Sequence, residues 1–178
     1  MDLFSPLPGV TRVDCCFVGW SNFHIWRGKL PHWRADDVIY FVTFRHRRSL
    51  TDDERRELCR RLVASHERDL DLLAVGVLSE VTELLCRVRD GRDGRPVELA
   101  APIERAKTKA GKIILKQTGE RWPPFYAESY DRIVRDATEL AERWETILQG
   151  PVREGLAEDP AEDPGLWLSE LSAEDLGP

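Results

Sequence analysis

Leu72-Leu-Ala-Val-Gly-Val-Leu-Ser-Glu-Val-Thr-Glu-Leu-Leu-Cys-Arg-Val88 is the stretch of sequence that decides the fold. It contains two runs rich in apolar and β-branched residues, Leu72–Leu78 and Val81–Val88, with only Ser79 and Glu80 between them. Runs of this length and composition predict β-strands, and a two-residue polar break predicts a tight turn. We therefore expect a β-hairpin at the centre of the fold.

A strand and a helix are predicted on the N-terminal side of the hairpin. Val38–Phe44 is rich in β-branched and aromatic residues and is apolar on both faces, which is typical of a central strand covered on both sides. Thr51-Asp-Asp-Glu54 has the capping-box pattern of a helix start, and apolar residues follow at helical spacing as far as Leu70. The hairpin is thus preceded by a strand and a helix.

The C-terminal side repeats this arrangement in reverse. After a turn-rich loop at 90–96, the segment from Glu98 to about Thr118 predicts a basic helix that stops at Gly119. Phe125–Val134 should supply a fourth strand, and Asp136 should cap a last helix that runs to Gly150. The order β-α-β-β-α-β followed by a helix predicts an α+β fold with a ferredoxin-like split βαβ sheet.

Three stretches carry a resemblance to a known family. They are Arg27-Gly-Lys-Leu-Pro-His-Trp33 running on to Tyr40-Phe-Val-Thr-Phe-Arg45, Tyr130-Asp-Arg-Ile-Val-Arg-Asp136, and Ile147-Leu-Gln-Gly-Pro-Val-Arg-Glu-Gly-Leu156. In this order and spacing they resemble the REP-associated tyrosine transposases, small single-strand DNA endonucleases of the HUH class, over about residues 24 to 168. The resemblance implies an HUH endonuclease-like fold, DNA transposition as the family activity, and hairpin DNA as the family ligand.

The catalytic residues that this resemblance implies are replaced. Val81 and Glu83 stand where the family has a pair of metal-binding histidines on a strand, Thr146 stands where it has the tyrosine nucleophile, and Gly150 where it often has a polar metal ligand. Valine has no donor atom, and one carboxylate makes a poor metal site. We expect no catalytic residues, no metal and no cofactor, with Tyr126 or Tyr130 as substitute nucleophile left open.

The position of Glu83 can be predicted from strand geometry. Residues two apart on a strand point to the same face, so Glu83 should share a face with Val81. A buried carboxylate needs a partner, and we expect either Arg87 or a residue of the last helix near Thr146. The four histidines of the chain show no ligand-like spacing.

The charge of the chain is unevenly distributed. The formal net charge is −6, but the residues from Arg153 onward include one basic and eight acidic side chains, so residues 1–152 carry about +1. Two cationic runs, Arg27–Arg48 and Arg87–Arg121, are candidates for phosphate contacts. The predicted nucleic-acid-binding residues are Arg27, Lys29, Arg45, Arg47, Arg48, Arg105, Lys109, Lys112 and Lys116.

The domain organisation follows from these patterns. We expect an N-terminal arm at 1–23, a transposase-like HUH domain at 24–168 and an acidic, mobile tail at 169–178. No run is long enough to span a membrane, and the four cysteines show no disulfide spacing, so we predict a cytoplasmic protein with reduced thiols.

Three functions remain open. The favoured one is a catalytically inactive transposase-like protein that binds single-stranded or hairpin DNA, with RNA not excluded. The alternatives are a protein-interaction scaffold without DNA binding and an active transposase or nuclease with a rebuilt site. The sequence leaves open whether the protein forms a homodimer or has a protein partner.

Overall fold

The computed structural model describes residues 24–27, 31–35, 37–91, 94 and 97–170. The strands are β1 (His24–Arg27), β2 (Pro31–Arg34), β3 (Ile39–Arg45), β4 (Leu70–Val77), β5 (Val81–Val88), β6 (Tyr130–Ile133) and β7 (Leu166–Leu168). The helices are α1 (Asp52–Val63), α2 (Ala100–Thr118) and α3 (Ala137–Arg153), with a short 3-10 helix at Pro160–Glu162. The predicted arm at 1–23, Lys29 and tail residues 171–178 lie outside the described residues.

Five strands form one antiparallel sheet in the order β6-β3-β5-β4-β7. β3 and β4 are joined through α1 with β5 between them, and β5 and β6 are joined through α2 with β3 between them. These are two split βαβ units, which is the topology predicted from the sequence. The hairpin of β4 and β5 turns at Ser79 and Glu80, where the Leu78 N–H donates to the Val81 carbonyl at 2.9 Å.

The two faces of the sheet carry separate clusters of buried side chains. Tyr40, Val42 and Phe44 of β3 lie in the cluster that includes residues of α1 and α2. Phe41, between them in sequence, lies in the cluster that includes Ile147 of α3. The alternation follows from the two-residue period of a strand. It confirms that β3 is a central strand covered on both sides.

The predicted helix boundaries agree closely with the structure at three of the ends. Thr51 and Glu54 form the capping box of α1, and Asp136 accepts from the Glu139 N–H at the start of α3. Gly119 ends α2 with φ +72°, a conformation that glycine adopts without strain. The prediction that the last helix ends at Gly150 was short, because α3 continues to Arg153 with Pro151 inside it. Proline has no N–H, so α3 lacks the hydrogen bond that residue 151 would otherwise donate to the carbonyl four residues earlier.

Two features were not predicted as strands. β1 and β2 form a separate antiparallel hairpin, and β7 pairs with the outer edge of β4. Leu166 and Trp167 thereby pack on the body of the protein. Strands of three or four residues are too short to show a two-residue period in the sequence.

Cys59 and Cys86 are buried in the core and form no disulfide. Burial raises the pKa of the Cys59 thiol to about 12 and also raises that of Cys86. Neither of these thiols is therefore reactive at neutral pH. Within the described part of the chain, none of the helices combines the length and the apolar character that crossing a membrane requires.

Candidate functional site

A cleft of about 940 Å³ opens on the face of the sheet that α3 covers. α3 packs mainly over β4, β5 and β7, so the end of β3 near Arg45 is left uncovered on this face. The lining side chains come from β3, β5 and β6, from the segments just after β3 and just before β5 and β6, and from Glu154 after α3. They include Thr43, Arg45, Arg47, Glu80, Val81, Glu83, Tyr126, Glu128, Tyr130 and Glu154.

A row of residues in register crosses the sheet at the cleft. Tyr130 of β6 is paired with Thr43 of β3, Thr43 with Glu83 of β5, and Glu83 with Gly76 of β4. Residues paired across strands have side chains on the same face. Val81 lies two residues before Glu83 and also lines the cleft, which confirms that the two share a face.

The carboxyl group of Glu83 is partly buried and is affected by the charges of two arginines of α3. Burial raises the pKa of its carboxyl group, and the positive charges of Arg153 and Arg143 partly oppose the shift. Its Oε2 atom is buried without a hydrogen-bond partner, and so is Nε of Arg87. Of the two predicted partners, Arg87 forms no ion pair with Glu83, whereas the last helix supplies the cations that act on it. The cations that act on Glu83 come from α3, where Arg143 precedes Thr146 by about one turn.

The two α3 positions predicted to replace catalytic residues, Thr146 and Gly150, make contacts within the protein. The hydroxyl of Thr146 donates to the Glu142 carbonyl of its own helix at 2.7 Å, and Thr146 is not among the residues that line the cleft. Gly150 is buried against Leu78, and a Cβ atom built at Gly150 would lie 3.1 Å from Leu78 Cδ2. Any side chain at position 150 would require Leu78 to move.

His46 directly follows β3, and both of its ring nitrogens lie within hydrogen-bond distance of a partner. Nδ1 lies 2.9 Å from the Ser79 carbonyl and Nε2 lies 2.9 Å from the Thr82 hydroxyl. Burial lowers the pKa of His46, so the neutral ring donates from Nδ1 and accepts at Nε2. Among the described residues, no group of three or more His, Cys, Asp or Glu side chains is arranged to hold a metal ion.

Lys107 supports the loop that carries Tyr126, a role that was not predicted. Its Nζ donates to the carbonyl oxygens of Tyr126, Ala127 and Glu128 at 3.2–3.4 Å. Nζ also lies 4.0 Å from the centre of the Phe44 ring. Burial lowers the pKa of Lys107 to about 8. The helical spacing from Ile103 through Lys107 to Ile114 places Lys107 on the buried face of α2, and this pattern could have identified it.

The predicted cationic residues fall into groups with different surroundings. Arg45 and Arg47 are exposed and line the cleft. Arg48 is held by Glu54 at 2.6 Å and by Glu120 at 2.7 Å, so its charge is largely neutralised locally. The side chain of Arg27 and the whole of Lys29 lie outside the described part of the chain.

The exposed cations of α2 lie on the other side of the sheet from the cleft. Arg105, Lys109, Lys112 and Lys116 follow one another at intervals of three or four residues and therefore form a stripe along the helix. Arg105 pairs with Asp69 at 2.6 Å. No ion pair to a described residue is found for Lys109, Lys112 or Lys116. The predicted phosphate-contacting residues thus fall into a cleft group and a helix stripe.

The topology, the cleft on the α3 face and the position of Val81 and Glu83 permit a comparison with solved structures. The fold is similar to that of a REP-associated tyrosine transposase. That protein was solved bound to a REP hairpin; the match has a TM-score of 0.57 and 13% sequence identity, and it covers 79% of this chain and 82% of the transposase chain. The sequence matches no family model and no curated protein. At this identity the likeness establishes a shared fold.

Proposed function

We propose that the chain is a transposase-like protein that binds hairpin or single-stranded DNA and has lost the chemistry of strand cleavage. The observation that carries the binding proposal is the stripe of Lys109, Lys112 and Lys116 along the outer face of α2. Exposed lysines arrayed along one helix face suit contacts with successive phosphates. The fold, which is similar to that of a hairpin-bound transposase, supports the same ligand class.

The lysine stripe differs from the other exposed helical cations. On α1, Arg56, Arg60 and Arg61 each pair with an acidic side chain of the same helix, namely Asp53 or Glu57. The α1 surface is therefore locally neutral. The stripe on α2 leaves three positive charges without neutralising acids among the described residues, and these charges are available to a polyanion.

The loss of cleavage is inferred from the side chains that occupy the catalytic positions. Val81 and Glu83 face the cleft and offer one carboxylate between them. The hydroxyl of Thr146 donates a hydrogen bond within its own helix, and Gly150 packs against Leu78. Threonine is a poor substitute for tyrosine, because its alkanol has a much higher pKa and no base adjoins it.

An active enzyme with a rebuilt site is the second candidate. The observation that favours it is that Tyr126 and Tyr130 line the same cleft as Glu80, Glu83 and Glu154. A tyrosine hydroxyl could attack a phosphodiester there, with a carboxylate as the base. The two candidates make opposite predictions about covalent DNA adducts.

The binding proposal is tested by fluorescence anisotropy of labelled DNA hairpins and linear single strands, titrated at several salt concentrations. The expected result is binding whose affinity falls with salt by roughly 0.7 to 0.9 log units per log unit of salt for each phosphate contacted. An RNA hairpin of the same sequence tests the sugar preference. Absence of salt-dependent binding to every strand would contradict the proposal and favour the protein-interaction scaffold.

A further inference from the structure

Among the residues that the structure describes, the exposed aromatic side chains are concentrated in one short segment. Four large apolar side chains are exposed in the described residues, and three of them, Trp122, Tyr126 and Tyr130, are aromatic and lie within nine residues of one another. Their exposed fractions are 63%, 48% and 42%. Exposed aromatic rings grouped in this way indicate a binding surface.

Two of these rings lie beside the cationic rim of the cleft. The guanidinium carbon of Arg47 lies 4.9 Å from the centre of the Tyr126 ring, and Arg47 Nε donates to the Phe125 carbonyl at 3.3 Å. Tyr130 is the first residue of β6 and is fixed in register opposite Thr43. Arg45 lines the same cleft. Two rings and two guanidinium groups thus line one opening.

The backbone at Tyr126 is held in place by Lys107 and by the neighbouring residue Phe125. Lys107 donates to three consecutive carbonyl oxygens beginning at Tyr126, and Phe125 is buried with its ring centre 5.8 Å from that of His46. A ring held on a fixed backbone loses little conformational entropy when a ligand stacks on it. The segment is therefore suited to bind flat groups without rearrangement.

The distribution of charge indicates how a strand would lie in the cleft. Arg45 and Arg47 are cationic, whereas Glu80, Glu83 and Glu154 place carboxylates elsewhere along the lining. Phosphates are attracted to the guanidinium groups and repelled by the carboxylates. The base is the uncharged part of a nucleotide, so the carboxylates in the cleft do not repel it. Bases stack on aromatic rings and on guanidinium planes.

We infer that Tyr126 and Tyr130 form a stacking platform for unpaired bases of single-stranded DNA, with Arg47 and Arg45 contacting the adjoining phosphates. This inference rests on the proposed function and assigns a site to its single-stranded ligand. The tyrosines bind through their rings, and their hydroxyl groups are not required. The cleft that a nuclease would use for cleavage serves in this protein to hold bases.

The test compares two labelled probes, a DNA hairpin with a short unpaired extension and the same hairpin with abasic sites throughout that extension. Both probes have identical phosphates, so a difference in affinity reports the bases alone. The variants are Tyr126→Ala/Tyr130→Ala, Tyr126→Phe/Tyr130→Phe, and Trp122→Ala. Trp122 is a matched control because it is an exposed ring beside an arginine, 5.1 Å from Arg121, and is not among the residues that line the cleft.

Wild-type protein should bind the base-bearing probe about tenfold or more tightly than the abasic probe, since each stacked base contributes substantially. The double alanine variant should lose this preference while it still binds the abasic probe in a salt-dependent manner, which also shows that it is folded. The double phenylalanine variant and Trp122→Ala should keep the preference.

Three outcomes would overturn the inference: equal binding of both probes by the wild type, retention of the preference by the double alanine variant, or its loss in Trp122→Ala. Each of these is measured on protein that still binds the hairpin. Failure of the proposed function is a separate result, because in that case neither probe binds in a salt-dependent manner.

Discussion

Arg55 of α1 and Asp163, just before β7, form an ion pair that is fully enclosed by the protein. Arg55 Nη1 lies 2.8 Å from Asp163 Oδ2, and neither side chain has any exposed surface. Arg55 also donates to the Val77 carbonyl and to Asp52. The pair joins the first helix to the C-terminal strand across 108 residues of sequence.

Replacing Asp163 with asparagine should destabilise the protein by about 3 kcal/mol, because it leaves a buried guanidinium group without its main counter-charge. Chemical denaturation measures the change. The control is Asp53→Asn, which removes the exposed partner of Arg56 and should cost less than about 1 kcal/mol. Similar losses of unfolding free energy in the two variants would show that enclosure does not increase the contribution of the Arg55–Asp163 pair to stability.

Removing the α2 lysines should weaken DNA binding for all sequences alike. Lys109→Ala/Lys112→Ala/Lys116→Ala should reduce the slope of log affinity against log salt by about 2 to 3, as three phosphate contacts are lost. The matched control is Arg56→Ala/Arg60→Ala/Arg61→Ala, which changes the net charge equally on α1. If both triple variants lose affinity equally, only overall charge matters and the stripe is not a contact surface.

No covalent protein–DNA adduct should form with magnesium or manganese present. The expected result is a single unshifted protein band after incubation with hairpin DNA and denaturing electrophoresis, because the proposed function assigns the cleft neither a metal ion nor a nucleophile. An adduct that disappears in Tyr126→Phe or in Tyr130→Phe would identify a rebuilt active site and refute the inactive assignment.

Lys107 should make the stability of the protein depend on pH in an unusual direction. Its pKa is lowered to about 8 in the folded state from 10.5, so the unfolded chain binds the extra proton between these values. The free energy of unfolding should therefore rise with pH across this window, by on the order of 2 kcal/mol, relative to Lys107→Met. Measuring both proteins at pH 7 and pH 10 cancels the titration of tyrosines and cysteines. A pH-independent difference would mean that Lys107 is not desolvated.

The sequence predicted the main sheet well, because long elements have strong local signals. The capping box at Thr51, the glycine stop at Gly119 and the apolar runs on either side of Ser79 each depend on a few adjacent residues. β1, β2 and β7 lack such signals, since each is short and formed by pairing with another strand. Their existence is decided by tertiary contacts.

The candidate site was predictable in part. Strand period alone placed Val81 and Glu83 on one face. Of the two partners predicted for Glu83, the last helix is the one that acts on it, through the charges of Arg143 and Arg153. The sequence could not choose between them, because the choice depends on how α3 packs over the sheet. The burial of Lys107 was not predicted, because a charged lysine side chain is seldom enclosed by a protein.

The position of β7 has a consequence for synthesis of the chain. β4 is complete at Val77, but the strand that covers its edge ends at Leu168, so a growing polypeptide has an unprotected β4 edge while the intervening residues are made. At ordinary elongation speeds this interval lasts roughly 5 to 20 s. During that time Arg55 also has no Asp163 to neutralise it. The nascent protein should therefore depend on chaperones at this stage, since an uncovered strand edge favours aggregation.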